Sequence, residues 1–136
     1  MTISERELIQ KAKEVSLNAY SPYSHFLVGA ALLTESGAIY TGCNIENGGI
    51  QSICAERVSL GTAISKGERK FTSLAVVGKS ISDPYFVKTL PCGYCRQFIS
   101  EFCDPSFRIY TYDEKTDQIS SYSLSELLPH SFQFKN

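Results

Sequence analysis

Apolar residues recur along this chain at two spacings, one typical of helices and one of buried strands. Near the N-terminus a capping box at residues 4–7 opens a helical pattern that ends at Ser21-Pro22, with apolar positions at Leu8, Ala12, Val15 and Ala19. Further on, apolar or β-branched runs of strand length alternate with turn residues. They predict strands at residues 27–34, 38–43, 73–78, 107–112 and 118–122.

Three further helices are predicted among these strands. One begins near Cys54 and ends at Gly67, one runs from Cys92 to just before Asp104-Pro105, and a short one starts at a second capping box, residues 123–126. The order is αββαβαββα, without repeats or a linker. A sheet with helices on both faces is the economical α/β architecture for this order, and we expect residues 1–136 to form one domain.

The composition is that of an ordinary globular protein, with 43% hydrophobic and 20% charged residues. A formal net charge of −1 supplies no basic surface for nucleic acid, so we expect a small-molecule partner. The longest apolar run, residues 27–33, is too short to span a membrane, and no signal-peptide pattern is present. We therefore expect a cytoplasmic protein, in which the five cysteines stay reduced and available to a metal.

Two cysteine segments carry the candidate chemistry. Cys92 and Cys95 follow Pro91 at a predicted helix start, and Cys54 opens another helix. Helix N-termini favour thiolates, and a catalytic zinc takes three protein ligands and one water, so these three cysteines predict such a site. If the strands before the two helices are parallel neighbours, both helix N-termini meet at one end of the sheet. A lone C-x-x-C pair is more often a structural half-site or a dithiol, so the prediction depends on the joint pattern.

Glu56 supplies the residue type that this centre needs for proton transfer. It lies two residues after Cys54, which is about 200° around a helix and therefore beside the metal rather than on it. A three-ligand site with a non-ligand glutamate, followed by Pro-Cys-x-x-Cys, is the signature of zinc-dependent nucleobase deaminases. We expect Glu56 to take a proton from an activated water that attacks C4 of cytosine and to give it to N3. A further proton then moves from the added hydroxyl through Glu56 to the amino group, which leaves as ammonia.

Together these motifs resemble those of the small, homotetrameric cytidine deaminases over nearly the whole chain. The matching segments are Ser21-Pro22-Tyr23-Ser24-His25-Phe26, Val28-Gly29-Ala30-Ala31-Leu32, Gly42-Cys43-Asn44-Ile45-Glu46-Asn47, Cys54-Ala55-Glu56-Arg57, Pro91-Cys92-Gly93-Tyr94-Cys95-Arg96-Gln97 and Glu126-Leu127-Leu128-Pro129. The resemblance implies a three-layer αβα sandwich with a five-stranded mixed sheet and one zinc per subunit. It also implies hydrolytic deamination of cytidine and deoxycytidine to uridine and deoxyuridine, in pyrimidine salvage.

The same resemblance implies roles for residues around the metal. Asn44 and Glu46 are expected to bind the 3′-hydroxyl of the sugar, and Phe26 to pack against the pyrimidine ring. The Ala55 N–H is expected to donate to the pyrimidine O2. Arg57 is expected to hydrogen-bond to the ligating sulfurs, drawing off charge that would otherwise make the zinc a weaker Lewis acid.

Two positions bear on the implied homotetramer, whose sites are completed across subunit boundaries. Phe132 follows the segment 126–129 at the family spacing and is expected to close a neighbour's base pocket. Ile50 stands where relatives commonly have an aromatic that reaches a neighbouring active site, and isoleucine offers neither a hydroxyl nor a ring face. The preceding Gly48-Gly49 permits a different loop path.

Two alternatives stay open from the sequence. A different aminohydrolase on the same scaffold, such as a deaminase of a nucleoside antibiotic, would share the metal site. A non-enzymatic zinc module would leave Glu56 without a role, and it would need a fourth protein ligand, for which the candidates are Cys43, Cys103, His25 and His130.

Overall fold

The computed structural model describes residues 3–134, and these form an α/β fold. The elements follow the predicted order, which is thereby confirmed, and within this range no helix is long and apolar enough to cross a membrane. Their bounds are α1 (Glu5–Ser16), β1 (Phe26–Thr34), β2 (Ile39–Cys43), α2 (Ala55–Ser65), β3 (Phe71–Ser80), α3 (Gly93–Phe102), β4 (Arg108–Asp113), β5 (Gln118–Ser123) and α4 (Leu124–Leu127).

The strands form one five-stranded mixed sheet in the order β2-β1-β3-β4-β5, as expected. β1 pairs antiparallel with both β2 and β3, β3 pairs parallel with β4, and β4 pairs antiparallel with β5. The strands before the two cysteine helices are therefore not neighbours, because β1 lies between β2 and β3. They still run in the same direction, so α2 and α3 both follow strand ends at the same edge of the sheet.

Helices cover both faces of the sheet and create the three predicted layers. On one face, Leu8 and Ala12 of α1 pack against buried residues of β1 and β3. On the other face, Leu60 of α2 and Ile99 of α3 pack against the opposite side of the same strands. Because β1 and β3 are covered on both sides, their sequences show continuous apolar runs instead of alternation.

The first helix is shorter than the sequence predicted. Its capping box forms, but the helix ends at Ser16 rather than at Ser21-Pro22. Tyr20 finds its backbone partners elsewhere, since its N–H donates to the Asn44 carbonyl at 3.0 Å and its carbonyl accepts the Glu46 N–H at 2.9 Å. The segment after α1 is thus tied to the loop that follows β2.

α2 approaches β2 more closely than a side chain on the strand would permit. A Cβ placed on Gly42 would lie 2.6 Å from the Ser59 backbone nitrogen and 2.8 Å from the Ala55 carbonyl oxygen, both in α2. Ordinary Cβ contacts lie at 3.4 Å or more. This approach sets the depth at which the helix that begins after Cys54 lies on the sheet.

Candidate active site

Three cysteine sulfurs meet where α2 and α3 begin. Cys54 and Cys92 are the N-cap residues of the two helices, and Cys95 lies in the first turn of α3. The sulfurs all lie within 4.8 Å of one another, and those of Cys92 and Cys95 are 3.7 Å apart. Neither N-cap side chain caps the backbone of its own helix, and both sulfurs lie in the shared cluster. α3 itself starts at Gly93, one residue later than predicted.

This donor set fits zinc. Tetrahedral coordination with Zn–S bonds of about 2.3 Å separates pairs of sulfurs by about 3.8 Å, close to the spacing in the cluster. The Cys95 thiol, which donates to Cys54, and the nearby Arg57 lower the pKa of Cys54 to about 5 against the opposing effect of burial, which favours the metal-binding thiolate. Within residues 3–134 no His, Asp, Glu or other Cys joins the three sulfurs. A fourth position therefore remains for water, as in catalytic sites and unlike closed structural ones.

Arg57 lies between the cysteine cluster and an aromatic ring. Its Nη2 is 3.9 Å from the Cys54 sulfur and donates to the Ser52 carbonyl at 3.1 Å. The Tyr94 ring stacks on the guanidinium, with 4.5 Å between the ring centroid and Cζ. The Arg57 Nε is buried and has no hydrogen-bond partner among the described residues. Positive charge is thus held next to the sulfurs, where it can offset the charge of thiolates.

Glu56 is the buried acid of the site. Its side chain projects from the first turn of α2 into the wall of the adjoining cavity, and the residue is only 4% exposed. Burial raises the pKa of Glu56 to about 7, with the negative charge of Cys54 adding to the rise and Arg57 opposing it. A carboxyl group with a pKa near neutrality can both accept a proton and return it.

A cavity of about 320 Å³ opens beside the cysteines, within the size range of small-molecule sites. It brings together the predicted substrate residues and the metal centre. Its lining includes Phe26, Asn44, Glu46, Cys54, Ala55, Glu56 and Cys92. Segments that are far apart in sequence therefore converge on one chamber.

The two side chains expected to bind the sugar are already fixed by hydrogen bonds. The Asn44 Oδ1 accepts the Val28 N–H, and the Asn44 Nδ2 donates to the Phe26 carbonyl, each at 2.9 Å. The Glu46 carboxylate accepts two consecutive N–H groups and a hydroxyl from the turn before β1. Both side chains are thus pre-organised, which lowers the entropic cost of binding a ligand.

The two residues discussed for the expected contacts between subunits, Phe132 and Ile50, do not line this cavity. Phe132 is 71% exposed, and its carbonyl accepts a hydrogen bond from the Gln97 Nε2 at 3.0 Å, which ties the C-terminal segment to α3. Ile50 is 96% exposed and has a φ of +64°, an unusual conformation for a β-branched residue. Both side chains are therefore largely free of contacts with the rest of the described chain.

Several lining residues have no role assigned from the sequence. They are Ser24, Val28, Ser52, Ile53, Thr89 and Leu90. Ser24 and Val28 belong to the motif segments quoted for the resemblance, so a signal was available for them. The sequence contains no signal for Thr89. Its N–H donates to the Thr111 hydroxyl at 2.9 Å, and this contact between the loop before α3 and β4 exists only in the folded chain. Tyr94 was likewise missed, although it lies between two predicted ligands.

Residues 2–111 match the family described as the cytidine and deoxycytidylate deaminase zinc-binding region. This chain belongs to the cytidine deaminase family. It is 45% identical over 127 residues to the cytidine deaminase of Sporosarcina psychrophila, across 93% of this chain and 89% of that protein. The crystal structure of cytidine deaminase from Burkholderia pseudomallei has the same fold, with a TM-score of 0.85, 36% identity, and coverage of 96% of this chain and 100% of that chain.

The family also contains a relative with a different named substrate. Blasticidin-S deaminase from Bacillus cereus is 31% identical over 127 residues, across 90% of this chain and 88% of that protein. This identity of 31% is lower than the 45% identity to the cytidine deaminase of Sporosarcina psychrophila. Zinc is the cofactor of this fold, and the three converging cysteines are the residues of this cytidine deaminase family member that can hold it.

Proposed function

We propose that this protein catalyses the zinc-dependent hydrolytic deamination of cytidine and deoxycytidine to uridine and deoxyuridine, with release of ammonia. The observation that carries the proposal is the buried Glu56 beside three converging cysteines, at the wall of a cavity that Phe26 and Glu46 also line. The 45% identical relative, a cytidine deaminase, supports cytosine nucleosides as the substrate class.

Proton transfer is the part of the reaction that falls to Glu56. Zinc held by Cys54, Cys92 and Cys95 would supply water activated for attack at neutral pH. Glu56 takes one proton from that water and gives it to N3 of the base as the hydroxyl adds to C4. It then takes the proton of the added hydroxyl and gives it to the amino group, so that the C4 carbonyl forms, the C–N bond breaks and ammonia leaves. Its burial supports this role, because it excludes bulk water and raises the pKa of Glu56 to about 7.

Substrate orientation falls to four residues around the cavity. Ala55 is the first residue of α2, and the first N–H groups of a helix have no intrahelical acceptor, so its amide is available to the pyrimidine O2. Phe26 packs against the base. Asn44 and Glu46 bind the 3′-hydroxyl of the sugar, and each retains hydrogen-bonding capacity beyond the internal bonds that fix it.

Arg57 adjusts the electrostatics of the metal site. Three thiolates would overcompensate the charge of a zinc ion, and a positively charged group beside the sulfurs withdraws part of that charge. The 3.9 Å contact with the Cys54 sulfur and the position of the guanidinium over the Tyr94 ring support this role.

We also propose that the protein is a homotetramer that acts in the cytoplasm, in pyrimidine salvage. The exposed Phe132 and Ile50, whose side chains are largely free of contacts with the rest of the described chain, support contacts between subunits, and five free cysteines suit a reducing compartment. In sedimentation experiments we expect a tetramer. Phe132→Ala is expected to raise KM for cytidine more than it lowers kcat, whereas a fully active monomer or an unchanged KM would refute the shared site.

A nucleoside panel tests the substrate assignment. The loss of the cytosine amino group is followed by ultraviolet absorbance for cytidine, deoxycytidine and blasticidin S at equal concentrations. We expect turnover of both cytosine nucleosides, with blasticidin S the poorer substrate. Turnover of blasticidin S in the absence of cytidine turnover would instead assign the chain to the antibiotic deaminases, the alternative that the 31% identical relative supports.

A further inference from the structure

Ser24, in the wall of the cavity, makes two hydrogen bonds to Glu46 and one to the backbone of Phe26. Its hydroxyl donates to the Glu46 Oε2 and accepts the Phe26 N–H at 3.1 Å, while its own N–H donates to the Glu46 Oε1 at 3.1 Å. The Tyr23 N–H donates to the same Oε1 at 3.0 Å. Within residues 3–134, every hydrogen-bond donor to this carboxylate belongs to this one turn.

The distribution of these bonds decides which carboxylate oxygen can meet a ligand. Each carboxylate oxygen has two lone pairs, and the Glu46 Oε1 already accepts two N–H groups. Oε2 accepts only the Ser24 hydroxyl and keeps one lone pair. Ser24 and Glu46 both line the cavity, so the hydroxyl of Ser24 fixes the direction in which the remaining lone pair points.

The charge of Glu46 depends on the same contacts. The Ser24 hydroxyl and N–H lower the pKa of Glu46 below its usual value, with help from the Tyr23 N–H and against the effect of partial burial. The carboxylate is therefore a pure acceptor, suited to a hydroxyl group of a ligand.

The turn that presents Ser24 is held in a conformation that the local sequence does not favour. His25, which lies between Ser24 and Phe26, has a φ of +57°, a left-handed conformation that is costly for a residue with a Cβ. Its N–H donates to the Ser21 carbonyl at 3.0 Å, and its carbonyl accepts the Ile81 N–H at 2.8 Å. These two bonds hold the strained residue, and strained residues held in this way cluster at functional sites.

We propose that Ser24 is a positioning residue for sugar recognition, which orients the Glu46 carboxylate towards the 3′-hydroxyl. The inference rests on the proposed role of Glu46 in nucleoside binding. Proton transfer is assigned to Glu56, which makes no hydrogen bond to this turn among the described residues. Loss of the Ser24 hydroxyl is therefore expected to act on KM and to spare kcat.

The test compares cytidine with 2′,3′-dideoxycytidine, which lacks the 3′-hydroxyl as well as the 2′-hydroxyl. A hydrogen bond to a charged group is strong enough that Ser24→Ala is expected to raise KM for cytidine about tenfold. The KM for dideoxycytidine and the kcat for both substrates are expected to stay close to those of the unmodified enzyme. Ser24→Thr keeps the hydroxyl and is expected to restore cytidine binding. Ser36→Ala is the matched control, because it removes a serine–glutamate hydrogen bond, to Glu68, outside the cavity.

Glu46→Gln separates this inference from the proposed function on which it rests. If Glu46→Gln weakens cytidine selectively while Ser24→Ala weakens both substrates equally or lowers only kcat, Ser24 does not act through Glu46 and the inference falls alone. If Glu46→Gln changes the KM for cytidine and for dideoxycytidine equally, Glu46 does not bind the sugar hydroxyl. Both the proposed role of Glu46 and the inference about Ser24 are then refuted. A Ser24→Thr enzyme as weak on cytidine as Ser24→Ala would exclude the hydroxyl as the acting group.

Discussion

Replacing Gly42 by alanine perturbs the contact that sets the position of the helix carrying Glu56. The added Cβ would lie 2.6 Å from the Ser59 nitrogen and 2.8 Å from the Ala55 carbonyl oxygen. These are backbone atoms of α2 and cannot rotate away. To restore the ordinary contact distance of 3.4 Å from the present 2.6 Å, the helix must move away from β2 by about 0.8 Å.

Such a displacement has two consequences of predictable size. Overpacking of this kind costs about 1 to 3 kcal/mol of folding free energy. A shift of catalytic groups by about 1 Å lowers the rate by about 100-fold, so a shift of about 0.8 Å at Glu56 is expected to lower kcat/KM by about 10- to 100-fold. The protein is expected to remain folded, with activity reduced beyond what its stability accounts for.

Urea unfolding and steady-state kinetics, normalised to bound zinc, measure the two effects separately. Gly61→Ala is the matched control, because it makes the same substitution in α2 where the new Cβ meets no atom within 4 Å beyond the adjacent backbone of its own helix. That control is expected to gain up to about 1 kcal/mol of stability from helix propensity and to keep its activity. A Gly42→Ala enzyme with unchanged kcat/KM would refute the view that this approach positions the site.

The remaining predictions concern charges around the fold. Arg57→Gln is expected to keep the fold but to lower kcat and zinc affinity by about 10- to 100-fold, measured by kinetics and chelator competition. Tyr94→Ala removes the ring that the Arg57 guanidinium contacts and is expected to act in the same direction, whereas Tyr94→Phe keeps the ring and is not. Unchanged zinc affinity and rate in Arg57→Gln would argue against a role of Arg57 at the metal site. Glu114 accepts the Lys13 Nζ and the Phe86 N–H, both at 3.1 Å, and these donors lower the pKa of Glu114 despite partial burial. A lowered pKa stabilises the fold above the unfolded-state pKa of about 4.3 and ceases to do so as the pH falls through the folded-state pKa. Glu114→Gln is therefore expected to lower the urea midpoint at pH 7 but not at pH 2 to 3, and an equal loss at both pH values would contradict this.

Much of the architecture is local information and could be predicted. Both capping boxes form, and the continuous apolar runs become the strands that are covered on both faces. Gly67, with a φ of +96°, follows α2 in the left-handed conformation that ends helices. These features depend on residues that are close in sequence, where spacing and residue type decide the conformation.

The errors and omissions depend on contacts between distant segments. α1 ends early because the backbone of Tyr20 hydrogen-bonds to the backbone of Asn44 and Glu46. The spacing of apolar residues within the helix does not predict this contact. The position of β1 between β2 and β3 likewise depends on how strands that are distant in sequence pair in the sheet. Ser24 stands in a motif segment, but its role could not be predicted, because only the folded chain brings its hydroxyl to Glu46.

The zinc content and cytidine turnover of Glu56→Gln distinguish proton transfer from metal coordination most directly. The substitution keeps the size of the buried side chain but removes its ability to exchange protons. We expect a folded protein with one zinc per chain, and a fall in turnover of at least about 100-fold, the contribution expected of a general acid and base. Near-normal turnover, or a folded protein that has lost its zinc, would contradict the assignment of Glu56 as the proton carrier beside a three-cysteine site.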